Sequence, residues 1–215
     1  MKGLLLSQYY SVEKSLKMYI ALSVAIVGIV FLIQNENWFF FAAYIPMVLI
    51  SSPAAESLKH ESMSGWHKLM LTMPLKRNHV VQSHYFFYVM TVLLGLVVTV
   101  VLFTVAELVA GGFLTVYTIS WMVNGLGVTL VLGSVTYPLT YKLGIEKSQA
   151  AVVTGVITAI GLFIFSRILY EIIVSHALQE ALRELLFSSL FLVMTLVLFI
   201  LSYFIAVLIY KRKEF

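Results

Sequence analysis

The chain contains no cysteine and no aspartate, and it carries few charges of either sign. Charged residues make up 11% of the 215 residues and apolar residues 61%. The absence of cysteine excludes disulfide frameworks and thiolate metal sites, and the absence of aspartate excludes most familiar carboxylate dyads. A soluble domain of this length has too small an interior to bury so much apolar surface. The composition therefore predicts an integral membrane protein.

Motifs for ATP hydrolysis and for zinc binding are also missing. The nearest approach to a phosphate-binding loop, residues 144–148 (GIEKS), lacks the glycine-rich loop that cradles phosphates. His60 and Glu61 begin like a zinc-protease helix, but Ser64 stands where the second histidine is needed, and His67 is one residue short of two turns away. We expect no ATPase activity, and neither a metal ion nor a cofactor bound by this chain.

Six apolar segments predict an all-α integral membrane protein with six transmembrane helices. The second segment is short for a hydrocarbon core of about 30 Å, and Pro46 predicts a kink in it. Gly111 and Gly112 mark a turn after the third segment, and Pro138 ends the fourth. The six predicted spans are residues 18–33, 38–52, 85–108, 114–137, 150–170 and 187–210.

The positive charges predict the orientation. With both termini in the cytoplasm, the inner segments hold twelve of the Lys and Arg residues, and the outer segments hold only Arg167 and Arg183. This asymmetry follows the positive-inside rule and agrees with an even number of spans. Residues 1–17, which mix leucine and tyrosine with lysine, then suit a short helix in the headgroup region; a frayed terminus is the alternative.

Three spans carry small residues four positions apart, a spacing that lets helix backbones approach closely in lipid. Such stripes serve packing within one subunit or form the seam of a dimer, and the sequence does not separate the two. The residues are Thr91, Gly95 and Thr99; Gly125, Thr129 and Gly133; and Ala151, Gly155 and Ala159.

The middles of the spans are almost free of ionisable groups. Glu107 lies at the outer end of the third span, and Arg167 and Glu171 at the outer end of the fifth, where their spacing predicts an (i, i+4) ion pair. Asn124, in the outer half of the fourth span, is the deepest strongly polar side chain and is more typical of interhelical contacts than of a ligand site. A transporter driven by protons or sodium needs more polarity at mid-depth, so an external energy source is favoured.

The longest polar interval, residues 51–85, is predicted to be cytoplasmic and to contain a helix. Ser52 and Pro53 resemble a cap followed by a first-turn proline, and Pro74 ends the segment near Leu71. One face carries apolar residues with Trp66, and the other carries the charged residues and two methionines. This pattern indicates a helix on the membrane surface or a helix whose polar face binds a soluble subunit, and physics alone leaves both open.

Three motifs resemble those of the membrane permease subunits of type-2 bacterial ATP-binding-cassette exporters. They are the run WHKL…MPLKR over residues 66–77, the loop PLTYKLGIEK over residues 138–147, and the basic end IYKRKE over residues 209–214. The first two look like the family patterns W-x-x-(L/Y)-x-x-(T/S)-(L/M)-P-(L/V)-x-R and P-x-x-x-K-x-G-x-E-K. The motifs are loose, but their order and their places on cytoplasmic loops match along the whole chain.

The resemblance implies a single permease domain over residues 1–215, with an interfacial elbow helix at 1–17 and a cytoplasmic coupling helix region at 53–72. It implies a separate ATPase subunit, which binds ATP and Mg, and a second permease subunit, identical or different, in a bacterial plasma membrane. The implied ATPase contacts are Glu56, Lys59, His60, Glu61, Met63, Trp66, His67 and Met70. The implied structural-motif residues are Pro53, Pro74, Pro138, Gly144, Glu146 and Lys147.

The function predicted in this way is that of the transmembrane subunit of an ATP-driven exporter. A narrow, charge-poor interior favours an amphipathic peptide or a lipophilic compound as cargo. A membrane-embedded immunity or scaffold protein without transport is the alternative, and an intramembrane enzyme would need a site built from His60, His67 or Glu107.

Overall fold

The computed structural model describes residues 2–33, 38–63, 77–174 and 179–212, and these residues form helices and no strand. Six of the helices in this part of the chain are long and apolar enough to cross a membrane. The prediction of an all-α protein with six spans is confirmed. The helices are α1 (Lys2–Ile33), α2 (Phe39–Met63), α3 (Arg77–Ala110), α4 (Val116–Leu143), α5 (Ser148–Ile173) and α6 (Glu180–Arg212).

The helices alternate in direction, so the bundle has two ends. We call the end that carries Lys2 of α1 and Arg212 of α6 the proximal end and the opposite end the distal end. The distal end carries the last turn of α1 against the first turn of α2, the loop between α3 and α4, and the end of α5 against the start of α6. In the predicted orientation the proximal end faces the cytoplasm.

Helix α1 is continuous from Lys2 to Ile33, so the helix boundary expected near residue 17 is wrong. Gln8 and Val12 in the first turns are only 1% exposed. Gln8 donates a hydrogen bond from Nε2 to Ser83 Oγ of α3 over 3.3 Å, and Val12 belongs to the core that α2 and α3 line. The first turns of α1 are therefore part of the bundle, and their place at the lipid headgroups stays a prediction.

Helix α2 is also continuous, from Phe39 to Met63, and it passes through both Pro46 and Pro53. The predicted helix start at Ser52 and Pro53 is therefore wrong. The Ser52 hydroxyl donates to the Val48 carbonyl one turn earlier over 2.9 Å, as a residue inside a helix does. A proline inside a helix removes one hydrogen bond and crowds the carbonyl one turn earlier, and contacts with neighbouring helices compensate for this. Pro53 is buried among such neighbours.

Helix α4 is the centre of the bundle and packs against α2, α3, α5 and α6, whereas α1 packs against α2 and α3. The small-residue stripes make these contacts possible, and all nine of their residues are buried within one subunit. A methyl group on Gly95 would come within 2.9 Å of Met47 Cα, and one on Gly155 within 2.6 Å of Thr136 Oγ1. The stripes thus serve packing inside the subunit.

Buried tyrosines tie the helices together toward the proximal end. The Tyr85 hydroxyl donates to Ser202 Oγ over 2.8 Å, and Ser202 Oγ donates to the Ser134 carbonyl over 2.6 Å, which links α3, α6 and α4. Tyr137 of α4 donates to the Ala54 carbonyl of α2 over 3.1 Å. Each ring fills core volume while its hydroxyl finds an acceptor, which is what burial of tyrosine requires.

The loop between α3 and α4 is fixed by one carboxylate and one aromatic ring. Glu107 Oε2 accepts hydrogen bonds from the backbone N–H groups of Phe113 over 2.6 Å and Leu114 over 2.9 Å. The Phe113 ring packs edge-on against Phe31 at 5.1 Å between centroids. Gly111 and Gly112 both have positive φ, 70° and 81°, so the predicted turn is present where glycine tolerates it.

Helix α4 contains Pro138 and ends at Leu143, so the predicted end of the fourth span at Pro138 is wrong. Gly144 follows with φ of 87°, and its N–H donates to the Thr140 carbonyl over 3.0 Å. A single 3₁₀ turn, Ile145–Lys147, then leads into α5. The positive φ explains the glycine in the 138–147 loop, since other residues rarely adopt this conformation.

Candidate functional site

Three of the predicted ATPase contacts have side chains that the structure describes, and all three lie toward the proximal end of α2: Glu56, Lys59 and His60. Lys59 and His60 are exposed. Glu56 points instead toward α1, where its Oε1 accepts a hydrogen bond from the Tyr19 hydroxyl over 2.9 Å. Glu56 and Lys59 also line a cavity of about 330 Å³ between α1, α2, α4 and α5.

The other predicted contacts fall outside the described part of the chain. Glu61 and Met63 lie in the last turn of α2, but their side chains are outside the described residues. Trp66, His67 and Met70 are outside them altogether, as is Pro74.

The second loop motif lies at the same end. Glu146 and Lys147 are exposed on the turn before α5. Lys147 is the N-cap of α5 and makes no side-chain capping bond. Exposed charges on a proximal loop are available to a partner protein.

The distal end contains a cleft between α2, α4, α5 and α6, which we call the distal cleft. It consists of two adjoining cavities of about 330 Å³ and 570 Å³, which share the side chains of Phe40, Tyr117 and Trp121. The smaller cavity is also lined by Tyr44, Asn124, Phe163, Arg167 and Glu184. Aromatic walls with a few convergent polar groups are typical of small-molecule sites.

Arg167 holds the polar side of the distal cleft together. Its Nε donates to Glu171 Oε1 over 2.8 Å, so the predicted (i, i+4) pair is present. Its Nη1 donates to Glu184 Oε2 of α6 over 2.8 Å, and its Nη2 donates to Glu184 Oε1. The guanidinium carbon also lies 4.9 Å from the centroid of the Phe187 ring. Two parallel bonds fix both side chains more strictly than a single contact would.

Asn124 lies deeper in the distal cleft, on α4. It is 3% exposed, and its side-chain carbonyl Oδ1 has no hydrogen-bond partner among the described residues. The interhelical contact that its position in the sequence suggests is therefore not made by this oxygen. A buried polar oxygen without a partner is uncommon in folded proteins and requires an explanation.

Sequence reasoning missed the distal cleft as a site, although the spacing of its residues contains a signal. Each wall contributes side chains three or four positions apart, which share one helix face. They are Phe40 and Tyr44 on α2; Tyr117, Trp121 and Asn124 on α4; and Phe163 and Arg167 on α5. The contact of Arg167 with Glu184 spans 17 residues and depends on how α5 and α6 are rotated, which one sequence does not reveal.

The ionisable side chains of the described part of the chain are few and scattered. Among these residues no three His, Cys, Asp or Glu side chains lie close enough to hold a metal ion. His60 is exposed, and both oxygens of the Glu184 carboxylate are bonded to Arg167. What the helices do offer is an apolar bundle with an exposed polar end and a cleft at the other end.

The sequence of this chain matches the model of a known protein family. The model for the ABC-2 family transporter protein matches residues 3–211, which is nearly the whole chain. The chain belongs to the ABC-2 family of transporter proteins. No curated protein matches it. The family and the six apolar helices make it a multi-pass protein of the plasma membrane and the permease component of its transporter, which is distinct from the ATPase component.

Membership of the ABC-2 family explains why the chain lacks a phosphate-binding loop. An ABC-2 permease works with an ATPase partner, so this chain needs no phosphate-binding loop of its own. The resemblance drawn from the three sequence motifs is therefore confirmed at the level of the family. The cargo, the contact with the ATPase and the second permease subunit go beyond what membership shows.

Proposed function

We propose that this ABC-2 permease is the transmembrane subunit of an ATP-driven exporter and that the proximal end of α2 couples it to the ATPase. The observation that carries the proposal is the unbroken course of α2. Its 25 residues correspond to about 37 Å at 1.5 Å per residue, which exceeds a hydrocarbon core of about 30 Å. In this proposal the last turns of α2 extend beyond the hydrocarbon core and present the exposed Lys59 and His60 to the partner.

The partner contacts in this proposal are the exposed Lys59 and His60 together with Glu61, Met63, Trp66, His67 and Met70. Glu56 takes a different part, because Tyr19 already occupies one of its oxygens. It fixes α2 to α1, so that movement of the α2 end is passed to the rest of the bundle. ATP and Mg bind to the partner ATPase.

Two permease subunits, identical or different, form the pathway in this proposal. The small-residue stripes are buried inside the subunit. The seam between subunits is therefore formed by larger apolar side chains. Helix α5 is the least buried of the six spans. An amphipathic peptide or a lipophilic compound is the cargo that fits a pathway so poor in charge.

The proposal is tested by co-purification with the partner ATPase and by the ATPase activity of the reconstituted complex. Lys59→Glu, Glu61→Lys and Trp66→Ala are each expected to weaken co-purification or stimulation of ATP hydrolysis. Lys14→Glu, which makes the same charge change at an exposed position on α1, is the matched control and is expected to leave both unchanged.

If all three variants behave like the wild type, the coupling role of this segment is wrong. The alternative immunity or scaffold function is tested separately, with a partner ATPase that lacks its catalytic glutamate. If the protein is part of an exporter, the inactive ATPase abolishes its cellular function. If the cellular function is unchanged, the protein does not transport.

A further inference from the structure

We propose that the distal cleft binds an amphipathic molecule that carries a protonated amine, and that Asn124 Oδ1 accepts a hydrogen bond from its ammonium group. The inference rests on the proposed function, because it takes the cargo of the exporter as the ligand. It is carried by the unpartnered oxygen of Asn124, by the aromatic walls and by the charges at the distal end.

Asn124 places a buried amide beside the cleft. A polar atom removed from water without a hydrogen bond costs free energy, and polar side chains within membrane spans are typical of sites that bind or pass a ligand. Asn124 is 3% exposed, lines the cleft and has an unpartnered Oδ1. A ligand with an N–H group supplies the donor that this oxygen lacks.

The walls of the cleft are largely aromatic. Five aromatic side chains from three helices surround the smaller cavity: Phe40, Tyr44, Tyr117, Trp121 and Phe163. Their faces carry partial negative charge and attract cations, most strongly when water is excluded. They also provide apolar contact for a hydrocarbon or aromatic part of the same ligand, so they suit an amphipathic cation better than a sugar or an anion.

Negative charges outnumber positive charges among the described residues around the cleft. Arg167 is bonded to two carboxylates, Glu171 and Glu184, which leaves one excess negative charge in this cluster. Of the charged residues described at the distal end, four are glutamates (Glu107, Glu171, Glu180 and Glu184) and two are arginines (Arg167 and Arg183). The resulting potential attracts a cation and opposes an anion of the same shape.

The test is isothermal titration calorimetry on the full chain in lipid nanodiscs, with the heats of empty nanodiscs subtracted. The probes are 4-phenylbutylammonium and its neutral counterpart, 4-phenylbutanol. The wild type is expected to bind the amine at least about tenfold more tightly than the alcohol, as a hydrogen bond to a charged group implies. Equal affinities for the two probes would overturn the proposal.

Variants at Asn124 test the role of the oxygen. Asn124→Leu is expected to weaken binding of the amine roughly tenfold or more, whereas Asn124→Asp, which keeps an oxygen at this place, is expected to retain it. Thr136→Val is the matched control, since Thr136 is also buried on α4 with an unpartnered oxygen but lies outside the cleft. Loss of binding in all three variants, or in none, contradicts the proposal.

This experiment is independent of the ATPase. If the amine binds as expected while co-purification with the ATPase fails, the site stands and the proposed coupling is wrong. If coupling is found but Asn124→Leu binds the amine like the wild type, the exporter stands and its ligand site lies elsewhere.

Discussion

Tyr19 of α1 donates a hydrogen bond to Glu56 of α2, with 2.9 Å between the hydroxyl oxygen and the carboxylate Oε1. The bond joins two helices through residues that are 37 positions apart in the chain. It fixes the middle of α1 to the part of α2 that leads to the proximal end. Removing either partner should therefore loosen this pair of helices.

Tyr19→Phe is expected to lower the free energy of unfolding by about 1 kcal/mol, because a hydrogen bond to a charged group is lost at a partly exposed site. This corresponds to a fall in Tm of roughly 2–4 °C for a chain of this size. Thermal unfolding in detergent, followed by the fraction that remains monodisperse, measures the change. Tyr10→Phe, at an exposed tyrosine of the same helix, is the control and should have no effect.

A double-mutant cycle decides whether Tyr19 and Glu56 act through each other. If they do, Tyr19→Phe combined with Glu56→Gln is no less stable than the worse single variant. Strictly additive losses would show that the two side chains contribute separately.

Gly95→Ala is expected to destabilise the bundle by about 1–3 kcal/mol. The added methyl group would lie 2.9 Å from Met47 Cα and 3.3 Å from the Pro46 carbonyl oxygen. Both are backbone atoms of α2, so relief requires α2 and α3 to move apart. The same thermal assay applies.

Gly161→Ala is the matched control, because Gly161 is also helical and nothing lies within 4 Å of its added methyl group. Alanine has a higher helix propensity than glycine by about 1 kcal/mol, so this variant is expected to be neutral or more stable. Similar losses in both variants would refute the importance of the close approach of α2 and α3.

Arg167→Lys is expected to lower the free energy of unfolding by about 1–2 kcal/mol, since lysine cannot reproduce the two parallel bonds to Glu184. Glu171→Gln serves as the comparison at the other carboxylate. The Glu171 side chain is 51% exposed, whereas that of Glu184 is 18% exposed. A change of less than about 0.5 kcal/mol is expected at Glu171, and an equal effect of the two variants would be evidence against the inter-helix pair.

Glu107→Ala is expected to release the loop between α3 and α4. Without the carboxylate, the N–H groups of Phe113 and Leu114 lose their acceptor, and their hydrogen exchange should accelerate roughly tenfold. Mass spectrometry of peptides covering residues 110–118 measures the rate. Glu180→Ala, at an exposed glutamate near the same end, should leave it unchanged; if Glu107→Ala does likewise, the loop is held by other contacts.

The number and type of helices could be predicted from the sequence because each span is a long apolar segment, and hydropathy reports such segments directly. The boundaries near residue 17, at Ser52 and at Pro138 could not. Lys17, Pro53 and Pro138 each predicted a helix boundary that the structure does not have. In the bundle, tertiary contacts at Gln8, Val12 and Tyr137 hold the helices through these positions.

Contacts at the candidate sites could be predicted only where both residues lie close together on one helix. The (i, i+4) pair of Arg167 and Glu171 depends on spacing within one helix and was found. The contacts of Tyr19 with Glu56 and of Arg167 with Glu184 depend on the rotation of separate helices. Asn124 was noticed as a polar residue, but its unpartnered oxygen becomes visible only when four helices are placed around it.

The unbroken course of α2 has a mechanical consequence. One helix carries Phe40 and Tyr44 in the distal cleft at one end and the exposed Lys59 and His60 at the other. A twist applied at the proximal end would turn the two aromatic rings about the same axis. Pro46 and Pro53 each omit one backbone hydrogen bond of α2. In the proposed coupling these are the expected points of bending, and bending there would reduce the rotation that reaches the cleft.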